Sequence, residues 1–335
     1  MKSSLIHKVM FRSILMLAGL GMTACNGDEV DDLDFQLGLV SDRKEYKVGE
    51  PVVFSIDGCP DYLIMWSGDY GHRYAYRNRT EAQLEALSLN YDLSLEWAGK
   101  RFRNAVKVYL SEDFDGVMER VNIESATWTD MDGGLKVPLL NMDAAGYQHG
   151  KVENVNVNLT DYGNKPFFVA LRYELPPLDP LLDENGVGAH PDVFFYPRLV
   201  QTVDGKTLER DNPKEDFGFG FCRIHTNDNE TNNPTVTVVD DQKVTINGRK
   251  SSAQGTYVWA ISQRMTPSAV SPDEGVSIKN ASFDLKNYTY IYNEPGEYTV
   301  TFVARNANAW GYKEQIKELK IKVVEPVQEE DDGTI

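Results

Sequence analysis

A chain of 335 residues is too long for one small domain and suits two or three. It carries 34 Lys+Arg against 51 Asp+Glu, a formal net charge of −17. Such a field repels nucleic acid, heparin-like polymers and anionic lipid headgroups, and it leaves a neutral ligand or a protein as the easier partner.

In chain order, Met1 to Ala24 has the three parts of a secretory signal. Lys2, Lys8 and Arg12 form a basic start, Ser13 to Met22 is apolar, and the small residues Thr23 and Ala24 precede Cys25. The apolar run is far short of the roughly 20 residues a spanning helix needs, so a removable signal is predicted and not a membrane span. Its removal takes away three basic and no acidic residues, leaving 31 basic against 51 acidic, a net charge of −20. Met22-Thr23-Ala24-Cys25 resembles a bacterial lipobox, with Met22 where Leu or Val is usual. The resemblance implies a diacylated Cys25 as mature N-terminus and attachment to the outer membrane by lipid. Residues 25–34 then read as an acidic tether with too little apolar content to pack. An acidic cluster at this place resembles the surface-export signal of Bacteroides-type lipoproteins, which implies display on the cell surface. The alternative is a solvated spacer.

The remainder predicts an all-β protein. Short β-branched and aromatic runs alternate in polarity, as in Glu50–Ile56, Ala105–Leu110, Lys151–Leu159 and Pro166–Tyr173, with Gly, Asn, Asp and Pro between them. Regularly spaced strands of this kind predict tandem β-sandwiches. One helix is expected at Thr80–Leu87, where Leu84 and Leu87 share a helical face. The expected divisions are a β-rich unit at 35–90, a central sandwich at 91–226, a polar linker at 227–234, a last unit at 235–325 and an acidic tail at 326–335.

Within the last unit, Tyr257-Val258-Trp259-Ala260-Ile261 and the stretch Tyr288 to Asn306, with Pro295-Gly296 inside it, resemble the PKD-like, immunoglobulin-type domains. The resemblance implies a hairpin turning at Pro295-Gly296 and a central core tryptophan at Trp259. The Gly-Asp-Gly that usually follows the tryptophan is missing. Tyr46–Phe54 and Ile64–Gly71 echo the same family at the N-terminus, but no closing hairpin follows them. That half-domain either completes its sandwich with strands from further along or is a divergent module. The central unit, through Leu93–Trp97, Val106–Gly116, Ala126–Asp130 and Val157–Tyr173, resembles the jelly-roll-like sandwich of surface lipoproteins encoded beside glycan-uptake systems. That resemblance implies lineage and architecture more than activity.

Catalytic patterns are missing. There is no Gly-x-Ser-x-Gly elbow and no His-Glu-x-x-His, and the five histidines are scattered, so no enzyme is expected. Asp113-Phe114-Asp115-Gly116 and Asp130-Met131-Asp132-Gly133 place carboxylates two apart in turns. That suits a structural calcium ion bound by Asp113, Asp115, Asp130 and Asp132, and it is also ordinary turn chemistry. No other cofactor is expected. Cys59 and Cys222 either pair in an oxidising compartment or stay free.

A sugar stacks its C–H face on exposed aromatic rings. Trp97 and Trp259 alternate towards a core and are set aside. Trp128 stands at a polar strand end, and Trp310 with Tyr312 falls at a predicted hairpin tip. Trp66 and the Tyr70, His72, Tyr74, Tyr76 run are mixed: the even positions alternate to give one all-aromatic face, either a buried stripe or a binding platform. The Pro/Gly/Asp-rich stretch Leu175–Pro191 is a long loop that either carries function or merely crosses over. The expected function is a non-catalytic surface lipoprotein that binds oligo- or polysaccharide for an outer-membrane uptake system. The alternative is a structural or adhesive lipoprotein that contacts protein partners of that system, the importer included.

Overall fold

The computed structural model describes residues 29–98, 106–131, 139–142, 148–175, 192–225, 236–247 and 256–326. The signal, Cys25, Asp132, the Leu175–Pro191 loop beyond its first residue, the 227–234 linker, the tail beyond residue 326 and the side chain of Trp97 lie outside the described residues. The protein is all-β: four sheets form two sandwiches, and the chain divides into two compact units, 1–79 with 271–335, and 80–270.

The first unit is assembled from both ends of the chain. Its N-terminal strands are β1 (Phe35–Leu39), β2 (Tyr46–Lys47), β3 (Pro51–Gly58) and β4 (Tyr62–Trp66). Its C-terminal strands, numbered along the whole chain, are β17 (Val276–Lys279), β18 (Asn287–Ile291), β19 (Gly296–Ala307) and β20 (Tyr312–Val324). One sheet runs β1-β3-β18 and the other β17-β4-β19-β20-β2. Alternation puts Val52, Phe54 and Ile56 of β3 against Leu63, Met65, Val300 and Phe302 of the facing sheet, and these form the core. Phe54 and Phe302 meet at 5.2 Å between ring centres.

This arrangement decides the open question about the N-terminal half-domain and corrects two expectations. Residues 35–79 complete their sandwich with strands from 276 onward, so 235–325 is not a separate unit. Pro295-Gly296 does not turn a hairpin. β18 pairs with β3 and β19 pairs with β4 and β20, so the turn carries the chain from one sheet to the other. Local turn chemistry is the same in both cases, and only long-range pairing tells them apart.

The second unit is inserted between those halves. Its strands are β5 (Leu84–Ala98), β6 (Val106–Ser111), β7 (Thr129–Asp130), β8 (Leu139–Met142), β9 (Gln148–Asn158), β10 (Phe168–Leu175), β11 (Asp192–Val203), β12 (Lys206–Arg210), β13 (Gly220–His225), β14 (Val236–Val239), β15 (Val244–Asn247) and β16 (Thr256–Ile261). The larger sheet runs β14-β15-β11-β5-β9-β8, with β12 paired to β11, and the smaller runs β13-β16-β10-β6-β7. The insert starts and ends at neighbouring points, since Val270 N donates to Thr80 O at 3.1 Å.

The helix expected at Thr80–Leu87 is instead the lead-in and start of β5, which pairs with β11 from Leu84 onward. The strand keeps a period of two: Leu87, Leu89, Tyr91, Leu93 and Leu95 are buried, with Ser88, Asn90, Asp92 and Ser94 between them. A 15-residue strand flanked on both sides gains more from its ladder and buried face than helix propensity offers over about two turns. β14, β15 and β16 also belong here, which moves Trp259 out of the unit in which it was expected.

Candidate functional site

The smaller sheet of the second unit is apolar on both faces. One face, with Val106, Val108, Leu110, Val169, Leu171, Val258 and Ala260, builds the core between the sheets. The residues that alternate with them, Tyr109 on β6, Phe168, Ala170 and Arg172 on β10, Tyr257, Trp259 and Ile261 on β16, and Cys222 and Ile224 on β13, point the other way. The segment 112–128, with the helix Arg120–Ser125, covers part of this outer face and leaves a cleft of about 300 Å³ beside it. Tyr109, Trp128, Arg172, Tyr257 and Trp259 line the cleft together with Ile123, Glu124 and Ile224.

The rings are held rigidly. Trp128 lies 4.9 Å from Trp259 and 5.5 Å from Phe114 between ring centres, and Tyr109 lies 5.6 Å from Trp259. The Trp128 indole N–H donates to the Ile123 carbonyl at 2.9 Å, so the ring cannot swing away from the helix. The Arg172 guanidinium stacks 4.4 Å above the Tyr257 ring centre and 5.6 Å from that of Trp259. Its Nη2 is 3.6 Å from Glu174, while its Nε is buried and has no acceptor among the described residues. Glu124 is exposed on the rim and pairs along the helix with Arg120 at 3.2 Å. The cleft thus offers aromatic faces, one guanidinium donor and one carboxylate acceptor.

Two of the proposed calcium ligands brace this cover. Asp113 accepts from Ser111 Oγ at 2.9 Å and from the Thr127 amide at 2.8 Å, and Asp115 accepts from the Val117 amide at 2.9 Å and Asn122 Nδ2 at 2.6 Å. These bonds, Thr127 first for Asp113 and the Val117 amide first for Asp115, hold both carboxyls below the usual carboxylate range. Gly116, at φ +86°, makes the turn under the Phe168 ring. Asp130 reaches Lys107 Nζ at 3.5 Å. Among the described residues no three His, Cys, Asp or Glu side chains are grouped to hold a metal ion. At Asp113-Phe114-Asp115-Gly116 both carboxylates accept hydrogen bonds from the turn they sit in, and the second motif lies outside the described residues beyond Met131.

The other sequence candidates lie in the first unit. Trp66 meets Tyr74 edge-on at 5.5 Å, and its indole would lie 2.6 Å from a Cβ on Gly275, so it is a packing residue against bare backbone. The expected aromatic face from Tyr70 to Tyr76 does not form, because Tyr74–Tyr76 is a 3₁₀ turn and not a strand. Arginines intercalate instead: Arg73 and Arg79 lie 4.3 and 4.0 Å from the Tyr76 ring centre, and Arg77 lies 4.0 Å from that of Tyr74. Asp273, 3 % exposed, bridges Arg73 at 3.2 Å and Arg79 at 3.6 Å. A hollow of about 420 Å³ beside this turn is lined by Arg73, Tyr74, Tyr76, Thr299, Glu297 and Glu318 among others. Trp310 and Tyr312 stand exposed at the β19–β20 tip. Cys59 and Cys222 are both free, one in each unit.

Of the residues that line this cleft, only Trp128 was among the ligand-binding candidates read from the sequence. Trp259 was set aside as core; it is buried, but on the outer face, as the floor of the cleft. The available signal was a doubly apolar alternation: Tyr257 and Trp259 interleave with Val258 and Ala260, so both faces of β16 had to be covered.

A family described as a domain of unknown function (DUF5017) matches residues 24–179. The chain is similar to that family over its N-terminal strands and the first half of the inserted unit, so the match follows neither compact unit. Comparison with curated proteins finds no significant match.

Proposed function

We propose that the protein is a non-catalytic, lipid-anchored surface protein that binds oligo- or polysaccharide in the aromatic cleft of its inserted unit. The observation that carries this reading is the grouping of Trp128, Trp259, Tyr109 and Tyr257 around Arg172 and Glu124 in a cleft of about 300 Å³. Aromatic faces receive the apolar C–H side of a sugar ring, and a guanidinium donor with a carboxylate acceptor supplies both partners that a hydroxyl needs. The site is the size of one or two sugar rings. The net charge of −20 beyond the signal favours neutral glycans over polyanionic ones. In this reading Cys25 carries the acyl chains, the two-ended unit is the PKD-like module, and the inserted unit is the jelly-roll-like one. Delivery of captured glycan to an outer-membrane importer would follow from that placement.

A glycan array probed with the chain from Asn26 onward, with and without calcium, tests this reading. Selective binding of a neutral glycan that is unaffected by calcium is the expected result. A blank array from demonstrably folded protein sinks it and leaves the adhesive reading, in which the sandwiches contact protein partners of the same system.

A further inference from the structure

The last residues of the tether are fastened to one place on the first unit. Asn306 Nδ2 donates to the carbonyls of Asp31 at 3.4 Å and Asp32 at 3.1 Å. Lys313 Nζ pairs with the Asp32 carboxylate. Gly311 faces Val30, whose methyl would lie 3.9 Å from an added Cβ. All these partners sit at the tip of the β19–β20 hairpin, where Ala307 pairs with Tyr312.

The same tip carries the two most exposed aromatic side chains of the described residues. Trp310 is 73 % exposed and Tyr312 is 62 % exposed. The turn beneath them is well braced: Asn308 Oδ1 accepts from the amides of Trp310 at 2.9 Å and Gly311 at 3.0 Å, and Asn308 N donates to Gly311 O at 3.0 Å. Arg305 lies 4.5 Å from the Tyr312 ring centre, and Glu314 pairs with it at 2.6 Å. A braced turn that holds a tryptophan and a tyrosine side by side in solvent presents an apolar surface free to meet a partner.

We infer that this tip is the membrane-facing end of the first unit, with Trp310 and Tyr312 seated at the headgroup level of the leaflet that holds the acyl chains of Cys25. The inference rests on the lipidation of Cys25 proposed above. Val30 lies five positions beyond Cys25, and a fully extended chain of that length spans about 18 Å at most. The lipid attachment point is therefore tied close to the hairpin tip. Trp and Tyr favour the membrane–water interface, because each ring has an apolar body and a polar edge. The Arg305 and Lys313 stems beside them can keep their charges in water while their methylenes contact lipid. The acidic body gains nothing from anionic headgroups, so the contact is aromatic and holds on zwitterionic lipid. One covalent attachment point sets no orientation, whereas the attachment and the tip together do.

The test uses the lipidated full chain in phosphatidylcholine vesicles that contain phosphatidylcholine brominated near the headgroup. Acylation is checked first by mass spectrometry. The Trp310 signal is read as wild type minus Trp310→Phe, which separates it from the other four tryptophans. The expected result is a blue shift and loss of most of that difference signal, together with loss of vesicle binding in Cys25→Ala. A chain without acyl groups overturns the lipid-anchor reading and this inference with it. An acylated, vesicle-bound chain whose difference signal is unquenched overturns the tip inference alone.

Discussion

The Tyr292 hydroxyl donates to the main-chain carbonyl of Ser67 at 2.7 Å, across 225 positions of sequence. Around this bond Tyr292 stacks on Tyr298 at 4.2 Å, and Tyr290 donates to the Asp69 carboxylate at 2.7 Å. The turn at Ser67–Asp69 is itself tightly fitted. Gly68 has φ +86°, and a Cβ there would fall 2.7 Å from the Thr299 carbonyl oxygen. The tyrosines of the C-terminal segment thus lock a turn of the N-terminal one. Burial, the largest effect, pushes the Tyr292 phenol far above its ordinary range and keeps it a donor.

Tyr292→Phe removes that donor and leaves the Ser67 carbonyl without it. The expected cost is about 1–3 kcal/mol of stability for the first unit. Urea unfolding followed by near-ultraviolet circular dichroism measures it, and an unchanged midpoint would show that the bond contributes nothing.

The two-ended construction makes a sharper prediction about fragments. Residues 235–326 expressed alone should not fold, because β18 lacks β3 and β19 lacks β4. A chain joining residues 29–79 directly to 271–326 should fold, since the main chain meets at this point: Asp273 N donates to Tyr76 O at 3.2 Å and Val270 N to Thr80 O at 3.1 Å. Amide dispersion in two-dimensional NMR distinguishes the cases, and a well-dispersed spectrum from 235–326 would refute the assignment.

Asp273→Asn should destabilise the first unit by about 3 kcal/mol, near the low end for breaking a buried ion pair because the arginines keep some water. Its carboxylate is 3 % exposed and answers both Arg73 and Arg79. Thermal unfolding of the variant at high and low salt tests this. The loss should persist in high salt, as expected for a pair shielded from solvent.

The cover of the cleft should respond to acid. Thr127, first through its side chain and then its amide, lowers the folded-state pKa of Asp113. A depressed carboxylate contributes stability that is present above its unfolded value near ~4 and is lost as pH falls through the lower folded value. Tryptophan fluorescence should therefore report loosening of Trp128 below about pH 4, a step that Asp113→Asn reduces and that Asp113→Asn together with Asp115→Asn abolishes. The same step in the variant would assign it to another group.

What the sequence made legible was local. Period-two alternation in β3, β6, β10 and β16 identified strands and the all-β class, and the tip position of Trp310 and Tyr312 followed from Asn308–Gly311 as a turn. What it hid was pairing over long separations. Nothing near Tyr46 announces a parallel partner at Val323, and nothing near Pro295 says whether the next strand stays in the sheet or changes sheet. For the cleft, alternation separates the two faces of β16 but does not say which face meets the other sheet. Trp128 stood out because its neighbours are polar, and Trp259 was read as core, which its burial bears out, while alternation alone did not say which layer covers it.

The most direct test of the central claim is calorimetric titration of a neutral oligosaccharide into the wild-type body and into Trp128→Ala. Trp128 is half-buried at the edge of the cleft, so the variant keeps its fold while losing one wall of the site. The account predicts binding to the wild type and at least a tenfold weaker affinity in the variant, equivalent to about 1.4 kcal/mol. Equal affinity in the two folded proteins would place any glycan site elsewhere and contradict the assignment of this cleft.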